Sequence, residues 1–153
     1  MDEITTLAAG WGAILSTCVF LWQLLENTRR MKVTLNISLT KNNFGNVETL
    51  LSLQASNISK RPISLSSYGL KLPDEKQLWF PNESPDRFPT TLTDGHACTM
   101  WRNIRSLAQS IKDEGFSGDI SIIGLFRDVT GKEYHSKKMI FNPQRWIEGV
   151  TDN

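Results

Sequence analysis

The stretch Val33-Thr34-Leu35-Asn36-Ile37-Ser38-Leu39-Thr40 alternates apolar and polar side chains without a slip. Successive strand residues point to opposite faces, so this period of two predicts a strand with one buried face. Asn42, Asn43, Gly45 and Asn46 follow with turn chemistry. Thr49, Leu51, Leu53 and Ala55 then resume the alternation, with Leu50 as the exception.

The same signals recur further along. A loop over 57–62 leads into Pro62, because the residue before a proline avoids the helical region. A third strand is predicted over 63–72, and its slip between Leu65 and Tyr68 predicts a bulge near Ser66 and Ser67. A short fourth strand over 77–80, a proline-rich loop over 81–95 and a fifth strand over 97–101 come next. Ile104, Leu107, Ala108 and Ile111 form a helical stripe, with Asn103 as N-cap and Gly115 closing the C-terminus. Residues 120–127 read as a central strand, with Ile120, Ile122 and Phe126 on its inner face. Asp128 and Gly131 make a hairpin turn into a strand over 132–141. Pro143 ends that strand, and Trp146 is the last residue expected to be buried.

About seven short strands and one short helix predict a mainly β fold, an immunoglobulin-like β-sandwich. Only Cys98 lies in this region, so the inter-sheet disulfide of antibody domains is absent, in keeping with a reducing compartment.

The N-terminus obeys a different pattern. Residues 4–25 carry no charge and would span roughly 33 Å as a helix, enough for a hydrocarbon core of about 30 Å. A single N-terminal transmembrane helix is therefore expected, with a helix packed on its own domain as the rival. Asp2 and Glu3 stand before it, and Glu26, Arg29, Arg30 and Lys32 after it. The basic flank puts the N-terminus outside and the β domain in the cytoplasm, anchored in the inner membrane. Arg29, Arg30 and Lys32 would also meet lipid headgroups. The acidic start and the lack of an A-x-A site argue against a cleaved signal. The organisation expected is 1–32 helix and flank, 33–146 sandwich and 147–153 tail. Ala8, Gly12 and Ser16, spaced by four, make a small-residue face suited to helix association in lipid, with Gln23 as an interhelical hydrogen-bonding group.

Asn57-x-Ser59-x-Arg61-Pro62-Ile63, Gly69-Leu70-x-Leu72, Leu78-x-Phe80-Pro81 and Asp128-x-x-Gly131-x-x-Tyr134-x-Ser136 together carry a resemblance. In these strand and turn signatures the chain resembles small bacterial membrane-anchored β-sandwich proteins of unknown function. The resemblance covers most of 33–146. It implies the fold and the anchor, and no activity.

Chemistry is sparse. The chain has 153 residues and a net charge of +1, without the basic excess of a nucleic-acid binder. Hydrophobic content of 39% and charged content of 22% exclude a disordered chain. His96 and His135 are not at metal-ligand spacing, and Cys98 has no nucleophile signature around it. Asp128, Thr130 and Glu133 alternate oxygens around Gly131, but too early a glycine for a calcium loop leaves the hairpin turn as their explanation. The sequons at Asn36, Asn57 and Asn82 would go unused in the cytoplasm. No catalytic, cofactor or metal residue is assigned.

Trp79, Phe80 and Phe88 flank the long loop and are the candidates for contact with a protein partner. The expected function is a membrane-anchored, non-enzymatic binding or assembly module. Its partners would be the lipid bilayer, an unknown protein and further copies of itself through the helix. The alternative is a membrane-acting effector that oligomerises through the helix, for example in bacterial defence. An enzyme is the remote third.

Overall fold

A computed structural model describes residues 2–26, 28–41, 45–80 and 88–149, with the side chains of its first helix described from 10 to 24. Helix α1 covers Asp2–Glu26. Strands β1 (Met31–Lys41), β2 (Val47–Asn57) and β3 (Ile63–Lys71) follow. One tight turn at Pro73–Glu75 leads to β4 (Gln77–Trp79), β5 (Thr90–Leu92) and β6 (Ala97–Asn103). Then come α2 (Ile104–Asp113), β7 (Ile120–Asp128), β8 (Glu133–Phe141) and α3 (Pro143–Glu148). The described residues thus hold eight strands and three helices, where the sequence predicted about seven and one in the β domain. The additions there are β5 and α3.

The strands form two antiparallel sheets, ordered β1-β2-β6 and β4-β3-β7-β8, with β5 also paired to β3. Their apolar faces share one core, to which Val33, Leu53 and Met100 contribute from the first sheet and Leu65, Ile122 and Phe126 from the second. Opposite Gly124 the sheets come so close that a Cβ there would strike the Leu53 side chain. The predicted bulge is present: the β3–β7 register shifts between Leu65 and Ser67, and Ser66 Oγ donates to the carbonyls of Arg127 and Asp128. Ile120, Ile122 and Phe126 all enter the core, as expected.

Helix α2 buries its stripe of Ile104, Leu107, Ala108 and Ile111. Asn103 Oδ1 caps it by accepting from the backbone N–H groups of Arg105 and Ser106. Gly115 takes the left-handed conformation just past its end, at φ +91°. Helix α3 packs on α2, and Trp146 on it is half-buried against the core.

The β1–β2 hairpin is longer than the core beneath it. Val33 and Leu35 are buried, but Ile37 is 41% exposed and Leu39 is 73% exposed. The predicted alternation holds along the whole strand, while burial stops half-way. The predicted turn residues Asn42 and Asn43 lie outside the described residues.

The N-terminal expectation needs correction. Residues 2–26 do form a helix, but no helix among the described residues is long and apolar enough to cross a membrane. Gly10, Gly12, Ser16, Thr17 and Gln23 dilute a run that is merely uncharged, and freedom from charge is not hydrophobicity. The single-pass anchor, the inner-membrane location and the orientation drawn from it fall with this finding. The rival reading fails as well: every side chain from Gly10 to Leu24 is exposed, so this segment of α1 is not buried on its own domain.

Candidate functional site

Helix α1 mixes good helix formers such as Ala8, Ala9, Ala13, Leu15, Leu21 and Leu24 with glycines and hydroxyl residues, and its hydroxyls bond its own backbone. Ser16 Oγ and Thr17 Oγ1 both donate to the Ala13 carbonyl, at 3.0 and 2.8 Å. Trp11, Ile14, Leu15, Val19, Phe20, Leu21, Trp22 and Leu24 are each 51–66% exposed. Isolated apolar surface residues need no explanation, but eight on one helix do. Gly12, Ser16 and Gln23 of the proposed association face are exposed, and nothing comes within 4 Å of the place a Cβ would take at Gly12. The side chain of Ala8 lies outside the described ones.

A clamp fixes the chain where α1 gives way to the sheets. Arg29 Nη1 lies 4.0 Å from Asp128 Oδ2, and Lys132 Nζ donates to the Arg29 carbonyl at 3.3 Å. The Ile58 N–H donates to the Arg30 carbonyl. The Asp128 side chain is 1% exposed in the β7–β8 turn. Its carboxylate accepts from the Thr130 hydroxyl at 2.6 Å, the Thr130 and Lys132 backbone N–H groups, and the Tyr134 hydroxyl. Burial pushes its pKa up, but these hydrogen bonds outweigh burial and hold it below the usual carboxylate value. Burial, followed by the Asp128 charge, pushes the Tyr134 phenol up. Arg29 therefore turns towards the β domain, and its reading as a headgroup contact is withdrawn with the membrane span. Arg30 and Lys32 are exposed beside it.

The predicted partner residues divide. Phe88 stacks on Tyr68 at 5.4 Å, and Phe80 lies 5.5 Å from the same ring; both are packed against the core. They cap the aromatic cluster of Tyr68 and Phe126 and do not form a free surface. Trp79 instead carries the Arg127 guanidinium 4.3 Å from its ring. Arg127 Nη2 donates to Glu133 Oε1 at 2.6 Å, and His135 Nε2 lies 3.4 Å from Glu133 Oε2. The hydrogen bond from Arg127 holds the Glu133 pKa below its ordinary value against the opposing effect of burial. Trp79, Arg127, Glu133 and His135 thus form a ladder across β4, β7 and β8. Sequence reasoning missed it because cross-strand neighbours are distant in the chain. Residues 81–87, with Pro81, Asn82 and Pro85, lie outside the described residues.

The remaining chemistry is local. Thr93 Oγ1 and His96 Nδ1 are hydrogen-bonded at 2.7 Å in the turn before β6, while Cys98 is buried. Among the described residues no group of three or more His, Cys, Asp or Glu side chains is placed to hold a metal ion. Asn57 is fully buried as a structural node: its Nδ2 donates to the Arg61 and Leu92 carbonyls, and its Oδ1 accepts from Ser59.

The class these features define is a mainly β, two-sheet protein carrying an exposed apolar helix on a clamped stem. No family model matches the chain, and no curated protein matches it. Among solved structures it is similar to the X-ray structure of Northeast Structural Genomics Consortium target SoR45. The two are 10% identical, and the match covers 77% of this chain and 89% of that one with a TM-score of 0.33.

Proposed function

We propose that the protein is a non-enzymatic assembly module, in which α1 is the association element and the two-sheet body is what it brings together. One observation carries this reading: the described part of α1 exposes eight large apolar side chains and none of its side chains is buried on the sheets. Helices apolar over most of their circumference are ordinarily covered, and burial of apolar area is the main driving force of association in water. The clamp at Asp128 adds to the reading, because it ties the helix to the body it would carry.

The test compares the full chain with residues 28–153 by sedimentation equilibrium. The shortened chain keeps every residue of the hydrophobic core. The full chain should sediment above monomer mass and the shortened chain as a monomer. A full chain that stays monomeric at high concentration defeats the proposal.

A further inference from the structure

We infer that the open end of the two-sheet body binds a medium-chain carboxylate, its alkyl chain against an apolar wall and its head on Arg105. The wall is the part of the β1–β2 hairpin that outruns the core. By strand alternation Ile37 continues the inward face of Val33 and Leu35, and Val47 and Thr49 continue that of Leu51 and Leu53. Across from them stand Ile104 at the start of α2, Trp146 on α3 and Ile140 near the end of β8, and together these residues line a cavity of about 970 Å³. Ile104 belongs to the core and Trp146 packs against it, so the cavity opens directly off the core. Small-molecule sites are of this kind and size, roughly 300–1,000 Å³ with apolar walls and a few polar groups.

The polar groups of the cavity are already engaged, with one exception. Asp119 Oδ1 accepts from Asn142 Nδ2 at 2.8 Å. Asn103 Oδ1 and Asn142 Oδ1 accept from the first backbone N–H groups of α2 and α3. Glu48 and Arg145 have contacts of their own. Among the described residues no hydrogen bond or ion pair engages the exposed Arg105 guanidinium. Its Nη2 lies 3.8 Å from the place a Cβ would take at Gly149, which puts it on the α3 rim of the cavity. A guanidinium offers a carboxylate two parallel N–H donors, and an alkyl chain seated beside the pair excludes water and strengthens it. The Glu48 and Asp119 carboxylates in the same lining disfavour a more highly charged head such as a phosphate. One uncommitted cation beside an aliphatic wall thus matches a ligand with one carboxylate and an unbranched apolar body.

The test is calorimetric titration of the full chain with decanoate, kept below the concentration at which it forms micelles. Affinity should rise about two- to fourfold per methylene from hexanoate to decanoate, as apolar burial requires. Arg105→Gln should weaken decanoate by about tenfold and leave decanol unchanged. Val47→Asp, at an exposed position, should abolish decanoate binding in a chain that melts at the same temperature.

Helix α1 is a second apolar surface, and decanoate held there would be indifferent to both substitutions, which overturns the inference. Equal affinity of the wild type for decanoate and decanol overturns it too, as does a full chain that takes up no decanoate. If Val47→Asp converts a self-associated chain into a monomer, the cavity holds a second copy and the inference falls. The assembly reading is judged separately, by its own sedimentation experiment.

Discussion

Asp128 is asked to be both buried and charged. It meets the demand with three donors from its own turn and the Tyr134 hydroxyl from β8, and the depressed pKa is the signature of that arrangement. A carboxyl whose pKa is lower folded than unfolded stabilises the fold at neutral pH. That contribution begins to fade near its unfolded value of about 4 and is lost as pH falls through the folded value. Glu133 shifts in the same direction. Asp128→Asn should cost about 1.5–3 kcal/mol at pH 7 and flatten the acid limb of the stability curve without levelling it. Tyr134 has the opposite sign: its raised pKa favours the fold below about 10, and that contribution is lost above it. Urea melts of both proteins across acid pH test this, and parallel acid limbs would refute it. The hairpin turn at Asp128 and Gly131 was legible in the sequence because it is local chemistry. Its partner Arg29 was not, because no local pattern reports a contact across the whole fold. Phe126 was legible by periodicity, and it is fully buried. Phe126→Ala should destabilise the chain by about 3–5 kcal/mol in the same melts, and a loss below about 1 kcal/mol would mean the site collapses or hydrates freely.

Elements with both a period and a punctuation mark were read correctly. Helix α2 has an apolar stripe, a capping asparagine and a closing glycine, and all three do what their chemistry suggests. Asn103→Ala should therefore cost about 1 kcal/mol through the loss of two backbone partners. An unchanged denaturation midpoint would show that water replaces the cap. Strand β5 was missed because three residues between a proline and a turn show no period. Helix α3 was missed although Asn142, Pro143 and Gly149 mark its ends, because six residues are too few for a stripe. The hairpin of β1 and β2 teaches a different lesson. Alternation records which side of a strand faces inward, but the length of the core is set by the other sheet, so Ile37 and Leu39 keep the pattern and lose the burial.

At the scale of the whole molecule, the β body was legible and the fate of the first helix was not. The two-sheet architecture follows from strand number and spacing. The N-terminal run carries no charge, but glycines and hydroxyl residues punctuate it, and freedom from charge alone does not make a membrane span. The candidate site shares that history: the helix was singled out from the sequence, but its uncovered surface and its clamp belong to three dimensions.

The placement of the indoles has an optical consequence. Of five tryptophans, Trp11 and Trp22 ride on α1 and are 63% and 66% exposed. Indoles in water emit at longer wavelength than indoles against protein, so an uncovered α1 colours the emission of the entire chain. Covering the helix should move that emission to the blue and shield it from acrylamide, and dilution should reverse both. Trp11→Phe, which removes one of the two exposed indoles of α1, should take away part of the change. An emission spectrum indifferent to concentration would show α1 equally bare in dilute and concentrated solution. Such a shift would report assembly of the chain without a label.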